Sequence, residues 1–176
     1  PAPLKSPDAL AKLLPAVMDV AAQNRVIRVL NAAAAPGGAV NVIVEMDSQG
    51  NENALGFSLT FNPAIFTNPK ATLGTGATGA SLNFNTNQLA QGRLGVVVAL
   101  PSGQSFAAGT RQLVVIAMTI ANNAPAGGAT IDFGNQPVAK EIVDANANDL
   151  AATYTAGVVT VQAQCPTITI SPATLA

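Results

Sequence analysis

Val40-Asn41-Val42-Ile43-Val44-Glu45-Met46-Asp47, then a polar turn, then Leu55-Gly56-Phe57-Ser58-Leu59-Thr60-Phe61-Asn62-Pro63-Ala64-Ile65-Phe66, decides the fold class. Apolar residues alternate with others, which is the period of a half-buried β-strand. Val40, Val42, Val44 and Met46 share one face, and so do Leu55, Phe57, Leu59 and Phe61. Asn62-Pro63 reads as the turn that ends the second strand. Each strand thus has a core side and another side, and the other side is where function should be sought.

The same pattern continues outward from Arg25. Candidate strands are Arg25–Leu30, Ala39–Asp47, Ala54–Phe61, Ser81–Asn85, Arg93–Leu100, Gln112–Ala121, Ala129–Phe133 and Gly157–Ala163. Turn clusters such as Ala35-Pro36-Gly37-Gly38 and Pro101-Ser102-Gly103 separate them. Residues 71–80 read as a Gly/Thr/Ala loop with at most one short strand at its start. No helical pattern lies between the strands, so a doubly wound α/β fold is excluded and an all-β, antiparallel β-sandwich is expected.

Upstream, Ser6-Pro7-Asp8 carries an N-cap serine, a proline at the first helical position and an acid in the first turn. Leu10, Leu13 and Leu14 follow at helical spacing until Pro15 interrupts, which predicts a short helix over residues 7–14. Downstream, Cys165-Pro166-Thr167-Ile168-Thr169-Ile170-Ser171-Pro172 starts a new alternating segment. The expected organisation is an N-terminal extension over 1–24, a sandwich over 25–164, and the start of an Ig-like module or linker over 165–176. Cys165 is the only cysteine, so it is read as a free thiol, or as half of a disulfide with a following domain.

Composition narrows the function. The chain has 176 residues, 49% hydrophobic, 10% charged and 4% aromatic, with net charge −1. About two-thirds of the unfolded surface would be buried at this size, enough for one core without disulfides. No basic run attracts a phosphate backbone, so nucleic acid is not an expected partner. No apolar run is long enough to span a bilayer, so membrane insertion is not expected either. A surface of Asn, Gln, Thr, Ser, Gly and Ala suits a secreted bacterial β-module, at the cell surface or outside the cell.

There is no histidine. That removes the commonest general base and neutral metal ligand, and with them Ser-His-Asp and Cys-His catalysis. The nine acids form no recognisable facing pair of the glycosidase kind. Asp47 and Glu52 are placed in a turn. The chain is therefore not expected to be an enzyme. In Asp144-Ala145-Asn146-Ala147-Asn148-Asp149-Leu150, the oxygen ligands Asp144, Asn146, Asn148 and Asp149 resemble the start of an EF-hand loop. The pattern then fails, with Asp149 where glycine should turn the chain and Thr155 where the bidentate acid belongs. An Asx-turn loop and no cofactor are expected, calcium being the one ion these residues suit. No tryptophan and a single tyrosine, Tyr154, leave no flat aromatic platform for a polysaccharide.

In order and spacing, these strands and turns resemble the bacterial cohesin domains. Val26–Leu30, Ala35-Pro36-Gly37-Gly38 and Val40–Glu45 look like that family's first two strands and their turn. The run from Gly56 to Phe66 is similar to its third strand and the following Asp-Pro turn, with Asn62 in place of the aspartate. Residues 108–120 resemble its seventh strand, and Asp144–Asp149 with Thr155–Val161 its last loop and strand. The resemblance implies a jelly-roll sandwich of about nine strands that binds a protein partner, dockerin-like or an adjacent module.

It further implies a partner sheet built from Ala54–Thr60, Ser81–Asn85, Arg93–Ala99 and the strand near Ala129–Phe133. Dockerin-binding members often carry Asn and Asp on the outer face of the third strand; the matching positions here are Ala54 and Gly56. The candidate partner face is Gly56, Ser58, Thr60, Asn83, Asn85, Arg93 and Val97. The alternatives are a carbohydrate-binding module working through polar loops, with Asn83 and Asn85 as contacts, and a purely structural stalk domain.

Overall fold

In a computed structural model, residues 25–164 are described. The expected helix over residues 7–14, the extension 1–24 and the segment 165–176 with Cys165 lie outside them. Twelve strands run in the order β1 (Arg25–Val29), β2 (Ala32–Ala34), β3 (Ala39–Ser48), β4 (Glu52–Thr60), β5 (Phe66–Leu73), β6 (Ser81–Asn85), β7 (Arg93–Ala99), β8 (Gly109–Ile120), β9 (Gly127–Gly134), β10 (Glu141–Asp144), β11 (Ala152–Thr155) and β12 (Gly157–Val161). The only helical pieces among the described residues are the 3-10 turns Thr75–Ala77 and Leu89–Gln91.

The strands form two sheets. One has the order β11-β1-β3-β8-β5; the other has β2-β12-β9-β4-β7-β6, with β10 also on β4. All pairings are antiparallel except β1 with β11 and β2 with β12. The result is the expected jelly-roll β-sandwich, with parallel closures where the first strands meet the last.

The alternation that predicted the fold builds its core. Val40, Val42, Val44 and Met46 on β3, and Leu55, Phe57 and Leu59 on β4, are at most 4% exposed. Ile27, Ile116, Met118, Leu94, Val96, Val98, Ile131 and Val159 meet them between the sheets. Each such side chain contributes about 1.5–3 kcal/mol of burial. On β8 a bulge opposite Val44/Glu45 lets neighbouring Leu113 and Val114 both be buried.

Twelve strands stand where about nine were expected, and β2, β5, β10 and β11 lie beyond the eight segments read from the sequence. Asn62 turns the chain as read, its carboxamide and carbonyl accepting the amides of Ala64, Ile65 and Phe66. The chain then enters β5 directly, including residues expected to be turn or loop. Asn68-Pro69 is accommodated by a break in pairing between Thr67 and Lys70, with Asn68 at φ 52°. β5 ends its sheet, and an edge strand tolerates a proline that a central one would not.

Candidate functional site

The four segments assigned to the partner sheet are neighbours in one sheet, in the order β9-β4-β7-β6. Register fixes its outer face row by row. Ala54, Ala99 and Ser81 form one row; Gly56, Val97 and Asn83 the next; Ser58, Gly95 and Asn85 the third; Thr60 stands beside Arg93. Of the outward positions on β4, β7 and β6, Arg93 alone is charged.

Part of this face is covered by the chain itself. β9 and β10 pair with successive parts of the same edge of β4, Gly134 opposite Ser58 and Glu141 opposite Gly56. Between them, residues 135–140 leave the strand line and cross the outer face. They pass through a cis Gln136–Pro137 peptide and are closed by the Lys140 amide donating to Asn135 Oδ1 at 3.1 Å. Val138 is seated at the centre. The Ser58 hydroxyl donates to its carbonyl at 2.6 Å and accepts its amide at 2.8 Å. Its side chain lies where Gly56 and Gly95 leave room: a Cβ on Gly95 would stand 2.6 Å from Val138 Cγ2 and 3.0 Å from Pro137 Cγ, and one on Gly56 3.1 Å from Val138 Cγ1.

Beside this seat lies an open, mainly apolar depression of ≈ 340 Å³, bordered by Ala54, Gly56, Val97, Val138, Glu141 and Val143. On the other side Thr60, Arg93, Asn135 and Gln136 line a second, more polar hollow.

Solved structures share this fold. The cohesin of OlpA from Clostridium thermocellum, determined in complex with a dockerin, superposes with a TM-score of 0.67 at 15% identity, over 79% of this chain and 99% of that one. A non-cellulosomal cohesin from the hyperthermophilic archaeon Archaeoglobus fulgidus gives 0.66 at 13% identity, over 80% and 92%. The solution structure of CaCohA2 from Clostridium acetobutylicum gives 0.62 at 19% identity, over 78% and 90%.

The fold is the cohesin fold.

No protein-family model matches the sequence, and no curated protein does; the likeness resides in three-dimensional structure. Within the cohesin frame, the expected face divides in two. Ser58 is fully buried beneath Val138, and Gly56 is half-buried there. The small, uncharged residues Gly56 and Ser58 of β4 are packed by this chain's own segment. Thr60 is half-buried and donates to the Asp132 carbonyl at 3.3 Å. Arg93 and Asn83 are exposed, while Val97 and Asn85 are half-buried. Asn85 Oδ1 accepts the Asn87 amide, as in an Asx turn.

Ser58→Ala removes both bonds to Val138. A loss of about 1–2 kcal/mol is expected, together with faster amide exchange at Val138. Unchanged exchange there would show that the segment is held by its side chains alone.

At the opposite end of β4 is a charged centre that the sequence reading placed in a turn. Glu52 opens β4 and is fully buried, not turn-exposed. The pairing of β10 with β4 skips Asn53, passing from Val143 opposite Ala54 to Asp144 opposite Glu52. The carboxylate accepts Arg25 Nε at 2.5 Å, Ser48 Oγ at 2.5 Å, and the amides of Gln49 at 2.9 Å and Gly50 at 3.1 Å. Arg25 also donates to Asn51 Oδ1 at 2.6 Å. This network ties β1 of one sheet to β4 of the other. Burial pushes Glu52 up, but the Ser48 hydroxyl, the Gln49 amide and Arg25 outweigh it and hold the carboxyl below its ordinary value.

The Asp144 loop is an Asx-type turn. Asp144 Oδ1 accepts the amides of Asn146 and Asn148, and Oδ2 accepts the Asn148 carboxamide. The Asn148 side chain and amide, then the Asn146 amide, hold Asp144 below the usual carboxylate range. Both its oxygens are thus engaged within the loop, and Ala147 takes φ 62° to close it. Among the described residues, no group of three or more acids, histidines or cysteines is placed to hold a metal ion. No helix among them is long and apolar enough to cross a membrane.

Proposed function

We propose that this chain is a non-catalytic, cohesin-like module of an exported protein, which holds a dockerin-type protein partner against the outer face of β7 and β6. The observation that carries the reading is the contiguous sheet β9-β4-β7-β6, in a fold whose neighbours include cohesins determined as complexes with dockerins. On the uncovered half of that face Val97 and Ala99 supply apolar area, Ser81, Asn83 and Asn85 supply hydrogen bonds, and Arg93 supplies one charge. Such a mixture of apolar centre and polar surround suits a non-obligate interface. The absence of histidine supports a binding role over catalysis, as does the engagement of Glu52, Asp47 and Asp144 in internal bonds.

Titration calorimetry against a panel of dockerin modules tests the reading. Binding by at least one dockerin is expected, and Val97→Asp should weaken it about tenfold or more, equivalent to 1.4 kcal/mol. A folded Val97→Asp, Asn83→Ala double variant that binds as tightly as the parent would remove β7 and β6 from the interface.

A further inference from the structure

We infer that residues 135–140 form a selectivity ridge, which bars partners that would lie flat across β4 and β7 and steers docking onto β7 and β6. This rests on the docking reading above and specifies which dockerin-type partners the face admits.

The register shows that the ridge is surplus chain. Two steps along β4, from Ser58 to Gly56, correspond to seven along the returning chain, from Gly134 to Glu141. One-to-one antiparallel pairing would use two. The five extra residues are folded onto the outer face instead of projecting into solvent, and the sheet beneath is fitted to them. Three central outward positions carry Gly56, Ser58 and Gly95, and any larger side chain at Gly95 would meet Val138 and Pro137. Ser58 spends its only hydroxyl on the two backbone groups of Val138. The ridge is therefore part of the resting structure.

A layer of secondary structure packs roughly 10 Å from a sheet. Over β4 at Gly56 and over β7 at Gly95 that layer is already taken by Pro137, Val138 and Ala139. What remains open presents Asn83, Ser81 and Val97 with Arg93 at one end, and no acid among the outward positions of β6 and β7. The partner that fits is a dockerin-type module offering hydrogen-bonding side chains to β6, with a carboxylate toward Arg93.

Deleting residues 136–140 places residue 135 opposite Phe57 and leaves Glu141 opposite Gly56, restoring an unbroken strand. The parent, this deletion and Val138→Gly are titrated with the same dockerin panel, and each is checked for folding by thermal melting. The deletion is expected to gain tenfold or more in affinity for dockerins that the parent refuses, with Val138→Gly changing less in the same direction. Identical profiles within twofold for parent and folded deletion would overturn the ridge and leave docking standing. Binding by none of the three would overturn docking and the ridge together. If the deletion does not fold, Val138→Gly decides, and a profile matching the parent's overturns the inference.

Discussion

Glu52→Ala is expected to lower the free energy of unfolding by about 3–5 kcal/mol, the usual cost of leaving one member of a buried ion pair alone. Arg25, a residue only 9% exposed, would be left with no carboxylate beside it. Ser48 Oγ and the amides of Gln49 and Gly50 would lose their acceptor at the same time. Urea denaturation at neutral pH measures the loss; a value under about 1 kcal/mol would mean that water replaces the carboxylate. Replacing both partners, Arg25→Met with Glu52→Leu, should recover the share due to the stranded charge, while Ser48 Oγ and the Gln49 and Gly50 amides stay without their acceptor.

The same centre sets a pH dependence. Glu52 in the folded chain lies below its ordinary value of 4.5. Asp47 is also lowered, chiefly by the hydrogen bond from Arg28 and then by that from Thr110. A depressed carboxylate binds fewer protons folded than unfolded, so its contribution is present above the unfolded pKa and is lost as pH falls through the folded one. Unfolding free energy should therefore fall on acidification below about pH 4.5. Glu52→Gln should flatten that fall.

Phe57→Ala should cost a comparable 3–5 kcal/mol, by a different route. Its ring is fully buried and meets Phe133 edge-on, with centroids 5.4 Å apart; Phe133 meets Tyr154 in turn at 5.2 Å. The three rings link β4 and β9 to β11 of the facing sheet, so truncation opens a cavity at a junction between sheets. Gly56 and Ser58, on either side of Phe57, point outward, so the seat of Val138 should survive. Equilibrium unfolding gives the energy, and amide exchange at Val138 should stay slow after correction for the lower global stability. A loss below about 2 kcal/mol would mean that the rings repack around the vacancy.

Period-two alternation made the sandwich legible because it reports burial on one side, and β3, β4, β6, β7, β8, β9 and β12 all carry it. β2 and β11 have only three and four residues, too few to display a period. β5 was hidden by Asn68-Pro69, turn chemistry that an edge strand absorbs in a bulge. The outer face was legible in position but not in occupancy. Gly56, Ser58 and Gly95 announce close approach by something, and only the break in register between β9 and β10 identifies it as residues 135–140. Glu52 was misplaced because its burial depends on Arg25, 27 residues upstream; the local turn signals around Gly50 carry no trace of that partner.

The parallel closures of β1 on β11 and β2 on β12 have a consequence for biosynthesis. Arg25 pairs with Ala152, and Ala34 with Val161, so strands made early must wait for the last to leave the ribosome. Until then β1 has β3 on one side and an unsatisfied edge on the other, open to pairing with another nascent chain. Contacts this distant in sequence also slow folding. Both sheets are therefore completed only by the last two strands made, β11 for one and β12 for the other.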